Sequence, residues 1–239
     1  MPSRASVSSL LLILSSFLAA SPALAGECVV LLHGLWRTDA SMNKMERRIA
    51  DAGYVVHNIE YDSTEKTVES LAAEILPQAL DQCGEAAPVH FVTHSMGGIL
   101  VRHYLEHNDI PRLGRVVMLG PPNQGSEVID RYGHWPTFEW FSGPAGLQLG
   151  TGETSLPRQL GPVRFEVGII AGTRSINPIL STILPEADDG KVSVDATRVE
   201  GMSDHIEMPV THVFMMRDDE VIDQALHFLG NGEFNREVN

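Results

Sequence analysis

Residues 89–98 are Val-His-Phe-Val-Thr-His-Ser-Met-Gly-Gly. Val89 to Thr93 is a short run of β-branched and aromatic residues, the pattern of a strand buried on both faces. Gly97 to His107 then follows a helical pattern, so strand and helix nearly touch. A turn that tight pushes one side chain out at the carboxyl edge of a sheet, in strained backbone. That side chain is Ser95. Strand and helix approach closely around it and call for small residues. Gly97 meets the need two positions after, whereas Thr93 stands two positions before, where the pattern G-x-S-x-G has glycine. Ser95 also falls at a helix N-terminus, where free N–H groups and the dipole favour a developing anion. A plain N-cap serine would look the same locally, so the rest of the chain has to decide.

Outward from this turn, strands and helices alternate. Upstream lie a strand at Cys28–Leu32 (CVVLL), a loop at His33-Gly34-Leu35-Trp36, and a helix at Ser41–Ala52 with Gly53 as its C-terminal cap. A second strand spans Tyr54–Ile59, and Thr64–Gln82 is helical by pattern, with a kink expected at Pro77. Downstream come strands at Arg115–Leu119 and Glu166–Ala171 and a closing helix at Val221–Leu229. This alternation predicts an α/β class with a doubly wound, mostly parallel sheet covered on both faces. Residues 121–162 break the rhythm after the fourth strand. They hold Trp135 and Trp140, with Tyr132, Phe138 and Phe141 beside them. A long excursion in a compact domain is functional or a small subdomain. Its aromatics predict either a local core or the apolar walls of a cap over a site.

The ends and the composition bound the function. Leu10–Ala20 is an apolar run too short to span a bilayer, followed by Pro22 and then Ala23-Leu24-Ala25, a small-x-small cleavage site. Residues 1–25 therefore read as a signal peptide, with 26–239 as a single exported domain, periplasmic or secreted. The chain has 239 residues and a formal net charge of −14. That balance argues against nucleic acid, which needs clustered Lys and Arg, and against docking on anionic lipid. Two cysteines cannot form a four-thiolate zinc site, and Cys28 and Cys83 both fall at the amino edge of the sheet. Export would let them pair, if their Cα separation permits.

The loop after the first strand can reach the same carboxyl edge as Ser95. Acyl transfer needs two N–H donors aimed at a tetrahedral oxyanion. Met96 offers one and Leu35 the second, with Gly34 allowing close backbone approach. At this point the chain resembles an α/β-hydrolase of the bacterial lipase and esterase branch. The resemblance rests on VVLLHGL at 29–35, THSMGG at 93–98 and THVFMM at 211–216, in that order over nearly all of the chain after residue 25. It implies hydrolysis of carboxylic esters through an acyl-enzyme, with an acid after a late strand and a histidine after the last one. His212 matches the base, with His205 as the runner-up. Asp189, before Gly190, matches the acid, and its neighbour Asp188 stays open, as does Asp130, where some relatives place that residue. Trp36, Trp135 and Trp140 are the expected substrate pocket. The implied substrate is a small-molecule or lipid ester, with no cofactor and no metal. Acyltransfer, thioester or peptide hydrolysis, or a binding role on an inactive scaffold would use the same frame.

Overall fold

The computed structural model describes residues 26–176, 182, 184 and 187–236, with backbone alone for 136–141. The expected signal peptide at 1–25 and the side chain of Trp140 thus lie outside the described residues. Six strands form one sheet: β1 Cys28–Leu32, β2 Val55–Ile59, β3 Val89–His94, β4 Leu113–Leu119, β5 Val167–Gly172 and β6 Asp204–Met208. Their order is β2-β1-β3-β4-β5-β6, and every neighbouring pair is parallel. The helices are α1 Asn43–Asp51, α2 Val68–Cys83, α3 Met96–His107, α4 Glu127–Tyr132, α5 Pro136–Leu147, α6 Leu156–Gln159, α7 Val194–Thr197 and α8 Asp219–Asn231. Among the described residues no helix is long and apolar enough to cross a membrane.

The apolar runs explain the layers. Successive side chains of a strand point to opposite faces, so CVVLL feeds both at once. Cys28, Val30 and Leu32 join Val89, Phe91, Val116, Met118, Val167 and Ile169 in a core closed by α2 and α3. Val29 and Leu31 join Val92, Val117, Leu119 and Ile170 on the other face, closed by α1, α8 and the Met215–Met216 turn. Thr67 caps α2, its side chain accepting from the Ser70 N–H, and α2 continues as one helix through Pro77. Asp218 caps α8 by accepting from Glu220 and Val221, and Gly232 ends it in left-handed backbone. Cys28 and Cys83 are bonded, with Cα atoms 5.8 Å apart.

β6 is the strand that the apolar runs do not predict. Asp204-His-Ile-Glu-Met208 lies at the sheet edge and is half-exposed, so it lacks the continuous apolar signal of a central strand. Segment 121–162 folds as α4, α5 and α6. Ala145, Leu149, Leu156 and Leu160 from it enter the core on the α2–α3 side.

The sheet reverses its direction of winding between β1 and β3, since β2 lies to one side and β4, β5 and β6 to the other. In open parallel sheets the crevice at such a switch point, beyond the carboxyl ends of the strands, is where ligands bind. The loop after β1 and the turn after β3 meet there.

Candidate active site

Ser95 sits between β3 and α3 with φ 52° and ψ −121°. A non-glycine residue in that region is held there by its surroundings. Here the Ser95 N–H donates to the Leu119 carbonyl at 2.8 Å, and its own carbonyl accepts from the Gly98 N–H at 3.0 Å. A Cβ on Gly97 would stand 2.7 Å from the Leu32 carbonyl oxygen and 2.9 Å from that of His33. Glycine is therefore required for α3 to start this close to β1. The departure at Thr93 has a local remedy. Its side chain is fully buried, and a Cβ on Gly98 would lie only 3.2 Å from Thr93 Oγ1. The second glycine of Met96-Gly97-Gly98 makes room that a glycine at 93 would otherwise provide.

The loop after β1 is held against this turn. The His33 ring stacks on Tyr61 with centroids 4.0 Å apart, and the Tyr61 hydroxyl donates to the His33 carbonyl. A Cβ on Gly34 would be 2.8 Å from His94 Nδ1 and 3.0 Å from Ser95 Cβ, so the loop backbone lies directly on the serine. Among the described residues, the N–H groups of Leu35 and Met96 donate to no other group. Both are thus available to a ligand beside Ser95.

Asp189 and His212 come together from separate loops. His212 Nδ1 and Asp189 Oδ2 are 2.7 Å apart, and both side chains are buried. Asp189 Oδ1 accepts from the Lys191 and Val192 N–H groups at 3.0 and 2.9 Å, which fixes the carboxylate. The His212 N–H donates to the Asp189 carbonyl at 2.9 Å, and the His212 carbonyl accepts from His94 Nε2 at 2.9 Å. With Nδ1–H given to a carboxylate, Nε2 of His212 is an acceptor. Burial and the neighbouring His212 hold His94 well below the usual histidine range, so His94 stays neutral and serves as a donor.

The alternatives are occupied elsewhere. Asp188 accepts from the Gly190 N–H at 2.7 Å. Asp130 accepts from the Thr151 N–H at 2.9 Å and from its hydroxyl. His205 lies on β6 with Nε2 2.9 Å from Thr197 Oγ1, and burial lowers it to about 4.

A cavity of about 200 Å³ gathers these groups. Ser95, His212, Leu35 and Trp36 line it together with Val128, Ile129, Tyr132 and Leu149 from segment 121–162, and with Lys191 and Val192. Trp135 is not among the lining residues. It is half-exposed and packs edge-on against Tyr132, with centroids 5.2 Å apart. A larger cavity of about 510 Å³ opens beside Arg102 and Phe165, but none of the groups above lines it.

Several contributors carried no sequence signal of their own. Gly120, at φ 54°, would place a Cβ 3.0 Å from Asp189 Oδ2 and 3.1 Å from His212 Nδ1. Gly172 would place one 2.7 Å from Asp189 Cβ. Ser126 donates to the Lys191 carbonyl at 2.7 Å, tying segment 121–162 to the acid loop. The position of Gly120 directly before Pro121-Pro122 marks a turn, but only the fold shows what that turn must clear.

The family model for palmitoyl protein thioesterase matches residues 28–154, more than half of the chain and inclusive of Ser95. No curated protein matches in sequence. Among solved structures, the mature lipase BlEst2 of Bacillus licheniformis superposes with a TM-score of 0.67 at 20% identity, over 87% of this chain and 93% of the lipase. The metagenomic carboxyl esterase MGS0156 gives 0.64 at 20% identity, over 82% of this chain and 66% of the esterase. Phospholipase PlaB from Legionella pneumophila gives 0.62 at 17% identity, over 86% of this chain and 58% of PlaB.

Proposed function

Given that the chain belongs to the palmitoyl protein thioesterase family of α/β-hydrolases, we propose that it is an exported serine hydrolase that cleaves carboxylic esters. Ser95 Oγ attacks the ester carbonyl and gives its proton to His212 Nε2. The tetrahedral oxyanion rests on the N–H groups of Leu35 and Met96. The leaving alkoxide takes the proton from His212 and departs as the alcohol. Water then attacks the acyl-enzyme, loses its proton to the same nitrogen, and frees the acid. Asp189 keeps the imidazole in the required tautomer and stabilises the imidazolium.

The observation that carries this reading is the buried Asp189–His212 pair at 2.7 Å, whose histidine lines one cavity with Ser95, a serine in strained backbone. The apolar walls of that cavity suit a short acyl or alcohol group, and the lipases and esterases of similar fold act on such bonds by their names. Export rests on residues 1–25, and the Cys28–Cys83 bond supports it, because disulfides persist in oxidising compartments.

A fluorophosphonate probe should label the wild-type protein and leave Ser95→Ala unlabelled. The same substitution should lower 4-nitrophenyl ester turnover by ~10⁴-fold or more at an unchanged melting temperature. Retained turnover in that variant sinks the assignment. The name of the family model favours one second reading, thioester hydrolysis, in which a thiolate replaces the alkoxide as leaving group. Matched oxygen and sulfur esters of one acyl chain separate the two by their kcat/KM ratio.

A further inference from the structure

Among the described residues that line the Ser95 cavity, Lys191 is the one Lys, Arg, Asp or Glu. Its Nζ lies 4.7 Å from the centroid of the Trp36 ring, and Trp36 belongs to the loop that carries Leu35. Among the described residues that ammonium has no hydrogen-bond acceptor and no ion pair within reach. Asp189 is close enough to attract it, but both carboxylate oxygens are already committed, Oδ1 to two backbone N–H groups and Oδ2 to His212. Arg37, on the same loop as Trp36, adds a second positive charge nearby, and the side-chain bond Arg37 makes is to the Val213 carbonyl. A lysine that lines the cavity thus has a second cation near it, in a chain of net charge −14. Burial and Arg37 together lower Lys191 to about 8, the sign of a charge lacking an adequate counter-ion.

Resting on the ester-hydrolase reading, we propose that Lys191 binds an anionic substituent, a carboxylate or a phosphate, carried by the ester held over Ser95. The face of Trp36 positions the ammonium, and the anion completes the coordination that none of the described protein groups supplies. Ionic hydrogen bonds in an apolar, partly closed site are the stronger kind, so this contact discriminates among substrates of similar size. Neutral esters fill the cavity and leave the ammonium unpaired.

Two substrate pairs test the idea and separate the two places an anion can sit. The kcat/KM ratio of 4-nitrophenyl hemisuccinate to 4-nitrophenyl butyrate reports an acyl-side carboxylate. The ratio of butyryl glycerol 3-phosphate to monobutyrin reports an alcohol-side phosphate. In wild type one ratio should favour the anion. Lys191→Met, which keeps the apolar stem on Trp36, should lower that ratio by about tenfold or more, and Lys191→Arg should recover much of it. Ratios that are unchanged by Lys191→Met, or that show no preference in wild type in either pair, overturn the proposal. The same four esters titrated calorimetrically into Ser95→Ala, with and without Lys191→Met, read binding without turnover. Binding of an anionic ester that depends on Lys191, in a wild type that hydrolyses none of the four, keeps the subsite and defeats the esterase reading. Turnover of the neutral esters without any anion preference does the reverse.

Discussion

Gly120 contributes by having no side chain. It stands after β4 in left-handed backbone, and the space a methyl group would take is already filled by Asp189 Oδ2, His212 Nδ1 and the sulfur of Met215. Gly120→Ala would add conformational strain of order 1–2 kcal/mol and push directly on the His–Asp bond. We expect kcat to fall at least tenfold, with a much smaller change in KM, because the interaction disturbed matters most in the transition state. Wild-type kcat in a folded Gly120→Ala protein would show that the pair tolerates displacement. Residues like this one mark the limit of the sequence. Ser95 is legible because a strand, a tight turn and a helix surround it within a few positions. His212 is legible because few histidines follow the last strands. Asp188 and Asp189 are adjacent and chemically identical, and only the course of the loop decides which carboxylate meets His212. Gly120, Gly172 and Lys191 act through residues distant in sequence, and nothing in their own neighbourhoods announces it.

Among the elements, segment 121–162 shows how a departure from the strand–helix rhythm is anchored. Arg102 on α3 is buried, with Nη1 donating to the Asn123 carbonyl and side-chain oxygens at 3.0 and 3.1 Å. Nη2 donates to the Leu160 and Gly161 carbonyls at 2.9 and 3.1 Å. One guanidinium thus holds both ends of the segment to the helix that begins just after Ser95. Burial lowers Arg102 to about 10, which leaves it charged at neutral pH. Arg102→Met would leave four acceptors without their donor. Each buried orphan costs ~1–3 kcal/mol, so the melting temperature should fall by several degrees, and more in activity than in fold if α4 swings away from the cavity. A thermal melt with ester kinetics checks this, and an unchanged melt would mean that water replaces the guanidinium. The central strands were legible because parallel strands buried on both faces are written as continuous apolar runs. β6 was not, because an edge strand with Asp204, His205 and Glu207 has one wet side and needs no such run. Segment 121–162 was visible as an interruption, but its helices divide their apolar residues between core and cavity, which composition does not separate.

For the whole molecule, the Cys28–Cys83 bond ties the start of β1 to the end of α2 and closes a loop of sequence separation 55. Closing a loop of that size removes unfolded-state entropy worth ~2–4 kcal/mol. Reduction under native conditions should therefore lower the unfolding midpoint by a margin in that range, measured by denaturant titration with and without dithiothreitol. The ester kinetics of the reduced, still-folded protein should be unchanged. A large loss of kcat on reduction alone would mean that the two rims of the sheet are mechanically linked. The sequence placed both cysteines at the amino rim but left their pairing open, because it carries no distance. The division of the sheet has an evolutionary consequence. The covalent staple closes one rim, while the loops that line the Ser95 cavity leave from the other. A lineage can therefore exchange the groups its enzyme accepts by rewriting the loops after β1, β4 and β5, and its descendants inherit an intact frame beneath each new specificity.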